Sequence, residues 1–219
     1  MSQEFILMNS AVLNATAISP TKKLPGDMAM WFFILAELSV FAIFFMGFAV
    51  AEHLNATMFV QSKAQVHPIA GLINTLALIT SSYFVAFSVQ ALHKNNTKKS
   101  VHYIIYALFF AVVYIVVKVW EYTTLFDQGI TIETNTFFTL YFLITFFHLM
   151  HVLLGMVILI YIAMNAKKGR YSQIDISTNI VEASQINSKN TISGFESGAC
   201  YWHMVDLLWI ILFPLIYVI

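Results

Sequence analysis

The sequence predicts an all-α polytopic membrane protein, a bundle of five transmembrane helices, and three observations carry that reading. Of its 219 residues 59% are hydrophobic and only 10% charged, with a mean hydropathy of +0.77, too little polar surface to coat a soluble globule. Five stretches stay apolar over the roughly 20 residues that a helix needs to cross a hydrocarbon core of ~30 Å. The basic residues fall almost wholly in alternate loops. Lys22, Lys23, Lys94, Lys98, Lys99, Lys167, Lys168, Arg170 and Lys189 share one side, and Lys63 stands against these nine on the other. This asymmetry predicts a cytoplasmic N-terminus and a periplasmic C-terminus.

The whole chain reads as one transmembrane unit over 1–219. Its N-terminal tail, 1–27, contains the apolar run "FILMNSAVLNATA", but "MSQE" before it lacks the basic residues of a signal peptide, so the tail is expected to be retained and to lie at the interface. The helices are expected over about 28–51, 69–92, 101–120, 137–164 and 199–219. Residues 165–198, rich in Ser, Asn and Gln, are expected to form a polar cytoplasmic loop of limited order. A formal net charge of zero provides no basic field for nucleic acid. The lone Cys200 cannot form an internal disulfide.

Ionisable groups inside a membrane are costly, by roughly 2.5–3.5 kcal/mol each on insertion scales, so each is expected to have a partner or a task. In the first helix Glu37 lies about 14 Å deep at the helical rise, where its carboxyl must be protonated or hydrogen-bonded. It suits helix packing, a proton relay or a lipid contact. The second helix brings Asn74, Thr75, Ser81 and Ser82, small polar groups of the kind that bridge helices. The third ends in "VKVWEYTTLF", where Lys118, Glu121 and Tyr122 are expected to form an anchor set near the outer surface.

The fourth helix carries His148, His151 and Gly155 at i, i+3 and i+7, on one face, with Gly155 allowing a neighbouring helix to approach. Two histidines on a stripe suit helix packing, but they also invite a metal or haem reading. A zinc pair more typically has i, i+4 spacing and a third ligand, and a bis-histidine haem would have to recruit His203. At equivalent depth Glu37 is expected to meet His148 or His151. The fifth helix pairs His203 with Asp206, which can share a proton or a charge-assisted bond and serve as interhelical glue, between Trp202 and Trp209. No phosphate-cradling glycine loop, complete metal set or activated nucleophile is evident.

Taken in order, "GDMAMWFFILAELSVFAIFF", "GLINTLALITSS", "VWEYTTLF", "FFHLMHVLLG" and "YWHMVDLLWIILFPLIYVI" resemble subunit III of the haem-copper oxidase superfamily, over roughly residues 25–219. By motif, Glu37 matches that family's buried glutamate, Glu121 and Tyr122 the pair ending its preceding helix, His148 and His151 its paired histidines, and Tyr201, Trp202, His203, Asp206 and Trp209 its C-terminal signature. The chain departs from the mitochondrial type by lacking the first two of seven helices, which there form one wall of a lipid-filled cleft. Its details look closest to the five-helix accessory protein of nitric oxide reductases.

The resemblance implies a non-catalytic accessory subunit of a bacterial inner-membrane respiratory complex. Such a subunit has no catalytic, cofactor-binding or metal-binding residues of its own. It packs beside the haem-bearing catalytic subunit, which carries haem and possibly copper, and beside the other subunits of the complex, and it holds structural phospholipids. The alternatives are a proton-conducting or haem-binding membrane protein acting alone.

Overall fold

The computed structural model describes residues 28–167 and 181–218, with the side chains of 30–167 and 194–218. The expected N-terminal tail lies outside the described residues. The described regular structure is helical: α1 (Met28–Leu54), α2 (Ala56–Lys63), α3 (Pro68–His93), α4 (Thr97–Asp127), α5 (Thr136–Lys167) and α6 (Val181–Tyr217). All but α2 are long and apolar enough to cross a membrane.

The turns explain why the chain reverses where it does. Asn95, at φ 56°, ends α3 in the left-handed region that asparagine tolerates, and the following amide of Asn96 returns to the Ala91 carbonyl at 2.9 Å. Gly129 does the same for α4 at φ 75°, with the Ile130 amide bonded to the Leu125 carbonyl at 3.0 Å. Asn135 then caps α5, its Oδ1 accepting the Phe138 amide at 3.0 Å, while its side-chain amide reaches the Ser62 hydroxyl of α2 at 2.9 Å.

Three boundaries differ from the sequence expectation. The first loop contains α2, fixed because Phe59 buries itself in a ring cluster with Phe48 and Phe137, each centroid 5.3 Å away, and because Lys63 pairs with Glu52 of α1 at 2.6 Å. Helix α4 continues past residue 120 to Asp127, since the polar groups at Glu121 and Tyr122 point into the bundle and do not mark its surface. Finally, α6 begins at Val181, well inside the expected loop. No proline or glycine lies between Val181 and Ser193 to stop a helix once it is started. At ~1.5 Å per residue, its 37 residues run about 55 Å, although only Gly194–Tyr217 is apolar enough to span.

Helices α3 and α4 are closely packed neighbours, with small residues at their seam: Ser81 donates to the Ala107 carbonyl at 2.8 Å, and Ser88 meets Ser100 at 3.0 Å. Helix α6 lies against α3, α5 and α1. Its approach to α5 is close at Gly155, where a Cβ would lie 2.8 Å from the Trp202 ring. Large apolar side chains such as Phe32, Ile43 and Phe109 point outward, which lipid or another subunit can cover and water cannot.

Candidate functional site

Polar side chains inside the bundle form three groups, each joining different helices. The group nearest the α4–α5 turn is centred on Lys118, which is fully buried together with Glu121. Lys118 Nζ donates to Glu121 Oε2 at 2.9 Å, to the Tyr141 hydroxyl of α5 at 3.0 Å and to the Tyr217 hydroxyl of α6 at 2.9 Å. Tyr217 in turn donates to the Glu121 carboxylate at 2.9 Å. All three protons of the ammonium are thus used, and the rings of Tyr122, Tyr141, Trp209 and Tyr217 lie within 5.6 Å of it. Tyr122 donates to Thr145 of α5 at 2.8 Å. The expected interfacial anchor is therefore an enclosed ion pair linking α4, α5 and α6. A helix ending at residue 120 would put Lys118 near the surface; because α4 continues to Asp127, Lys118 lies about two turns inside.

The second group joins α1 to α5. His151 Nε2 lies 3.0 Å from Glu37 Oε2, the meeting that depth alone predicted, and His151 Nδ1 lies 2.8 Å from the Phe147 carbonyl. A carbonyl can only accept, so Nδ1 carries a hydrogen; the Glu37 contact then holds one further proton, on the carboxyl or on Nε2. The surroundings are aromatic, with the Phe147 and Phe41 rings 4.7 and 5.4 Å from the imidazole. Replacing Glu37 by Leu leaves Nε2 without its partner and is expected to destabilise the folded chain by about 1–2 kcal/mol, as membrane hydrogen bonds are individually modest. Glu37→Gln, whose amide N–H can still donate to Nε2, is expected to stay within about 0.6 kcal/mol of the parent. Denaturing-detergent titrations followed by helical circular dichroism would compare the two.

The third group joins α3 to α6. Ser82 Oγ and His203 Nδ1 are 2.6 Å apart, and Ser82 also faces the Asp206 carboxyl. One turn or two farther along, Trp209 Nε1 donates to Thr75 Oγ1 at 3.0 Å, which passes its own proton to the Gly71 carbonyl at 2.8 Å. The expected direct bond between His203 and Asp206 is absent among the described side chains. Ser82 from the neighbouring helix takes the imidazole, leaving His203 exposed on the bundle's flank while Asp206 is buried. His203 thus bonds across helices to Ser82 of α3 and not to Asp206.

His148, Asn74 and Trp202 are buried, yet none uses its polar atoms on another side chain. Asn74 Oδ1 and Nδ2, the Tyr114 hydroxyl, both His148 ring nitrogens, Trp202 Nε1 and Asp206 Oδ1 are enclosed without a hydrogen-bonding partner. A buried polar group left unpaired costs about 1–3 kcal/mol. Seven such atoms would weigh as much as the whole net stability of an ordinary domain, about 5–15 kcal/mol. The pattern gave no warning of Tyr114, an aromatic among aromatics, nor of Tyr141 and Tyr217. Their signal was a shared depth with Lys118, readable only once the helix ends are known. Among the described residues no group of three His, Cys, Asp or Glu is arranged to hold a metal ion.

Helices that expose apolar residues outward and fasten themselves inward with ion pairs and hydroxyls define a multi-pass membrane protein whose polar chemistry is interhelical. The chain belongs to the cytochrome c oxidase subunit III family, whose profile matches residues 6–219. It is 24% identical over 214 residues, 95% of each chain, to subunit 3 of the cytochrome bo(3) ubiquinol oxidase of Buchnera aphidicola. It is 26% identical over 188 residues to cytochrome c oxidase subunit 3 of Thermostichus vulcanus, covering 85% of this chain and 84% of that one. A haem-copper oxidase subunit I+III of Aeropyrum pernix matches it at 23% over 196 residues, 87% of this chain but 22% of the longer one.

Proposed function

We propose that this protein is a non-catalytic accessory subunit of a bacterial respiratory haem-copper complex, lying in the cytoplasmic membrane with its N-terminus inside. It supports the assembly and endurance of the haem-bearing subunit, and phospholipids fill its outer surface. The observation carrying this reading is the family match over residues 6–219, nearly the full chain. Two further facts support it. The Aeropyrum relative joins subunits I and III in name within one polypeptide, as expected of partners that work side by side. Buried Lys118 and Glu121, and half-buried Glu37 with His151, are engaged with other helices, which is the chemistry of fastening.

Haem, and copper where present, belong in this reading to the partner subunit. Whether that partner reduces oxygen or nitric oxide follows from its own metal ligands, and the motif likeness to the nitric oxide reductase accessory protein keeps the second substrate in view. Affinity purification of the tagged chain from its native membrane in mild detergent is the test. We expect a haem-containing large subunit to co-elute, identifiable by its Soret absorption and by which of the two gases it consumes. A chain that elutes alone and colourless would overturn the proposal, as would proton flux through liposomes holding this chain alone that Glu37→Gln abolishes.

A further inference from the structure

We propose that the centre of the bundle is an internal water-binding site, where a short file of water molecules bridges Asn74, Tyr114, His148 and Asp206. These four side chains come from α3, α4, α5 and α6, and each is more than nine-tenths buried. Each also carries at least one polar atom without a protein partner.

Ring contacts and helix register bring Asn74, Tyr114 and His148 together around Trp209, and Asp206 stands one turn away from Trp209 on α6. The Tyr114 and His148 rings are 5.9 Å apart, and both lie 5.1 Å from the Trp209 ring. The antiparallel register set by Ser81 on Ala107 and Ser88 on Ser100 carries Asn74 level with Tyr114. Asn74 also directly precedes Thr75, which binds Trp209. Asp206 and Trp202 continue the same stripe of α6, at i−3 and i−7 from Trp209.

The chemistry of the unpartnered atoms selects the ligand. Donors and acceptors are mixed: the Asn74 amide supplies both, as do the Tyr114 hydroxyl and the neutral imidazole of His148, while Asp206 Oδ1 accepts and Trp202 Nε1–H donates. A metal ion would want acceptors alone, and only His148 and Asp206 are ordinary metal donors here. An anion would want donors alone. A small neutral molecule that both gives and takes hydrogen bonds fits the whole set. Buried waters make about three hydrogen bonds each, so a file of about four, each bonded to the next, leaves enough bonds for the six unpartnered atoms of these four side chains. Asp206 faces Ser82, and Ser82 bonds the exposed His203, so the file has a polar way out toward the flank of the bundle. The inference stands apart from the accessory-subunit reading, since it concerns the interior of this chain whatever it packs against.

It is tested by water-edited solid-state NMR on the intact complex in lipid bilayers, with only this chain carrying ring-15N histidine. The expected result is that magnetisation passes from water to the ring nitrogens of the wholly enclosed His148, as it does to those of exposed His53 in the last turn of α1. Asn74→Leu is expected to bring a loss of that transfer at His148 while leaving it intact at His53. If His53 receives magnetisation and His148 of the unaltered chain receives none, the proposal is overturned. The same holds if His148 correlates only with the Tyr114 hydroxyl, which would show a direct bond in place of water. The unaltered chain decides the question even if the variant fails to fold.

Discussion

Lys118→Met is expected to destabilise the folded chain by about 3–5 kcal/mol, because it strands the Glu121 carboxylate in a fully enclosed site where only Tyr217 still donates to it. The size of the effect comes less from the lost attraction than from the charge left behind. It follows that Lys118→Met combined with Glu121→Gln should recover most of the loss, since a neutral pair of similar volume carries no uncompensated charge. Unfolding in a denaturing detergent, read by circular dichroism, gives both numbers in one series. A double variant as unstable as the single one would mean that the cluster matters through its shape and its cation–ring contacts, not through charge balance.

The second large effect is steric. Gly155→Ala places a methyl group 2.8 Å from Trp202 Cε3 and 3.0 Å from Cζ3, and the indole has no room to retreat because Trp202 is itself buried. Overpacking of this kind costs about 1–3 kcal/mol, and α6 must move away from α5 to relieve it. Gly47→Ala is the control: nothing lies within 4 Å of the added carbon, so the change should stabilise α1 by up to about 1 kcal/mol through helix propensity alone. The two substitutions are chemically identical and should differ in sign. Thermal unfolding of both proteins, solubilised alike, would show it.

How far the molecule could be read in advance depended on which quantity each feature rests on. Span number rests on summed hydropathy over about 20 residues, and that average survives local exceptions. Helix ends rest on a few residues, and there polar side chains mislead: Glu121 and Tyr122 look like a water boundary but are satisfied by Lys118, Tyr217 and Thr145 inside the protein. The Glu37–His151 contact was legible because two deep polar groups on adjacent apolar helices have few other choices. The partner of His203 was not. Its identity depends on α3 being the neighbour of α6, a fact of helix arrangement that no spacing within α6 encodes. Gly155 was legible as a place of close approach, though not that an indole would fill the space.

Helix α6 carries two ties of different kinds at its two ends. Its first turns precede the apolar portion that starts at Gly194, where the His93 imidazole of α3 lies 3.2 Å from Glu196. At the other end Pro214 has no amide to give the Ile210 carbonyl, and the last turn is held instead by the Tyr217 hydroxyl on Lys118 and Glu121. The buried ion pair thus replaces, for that turn, the backbone bond that proline removes.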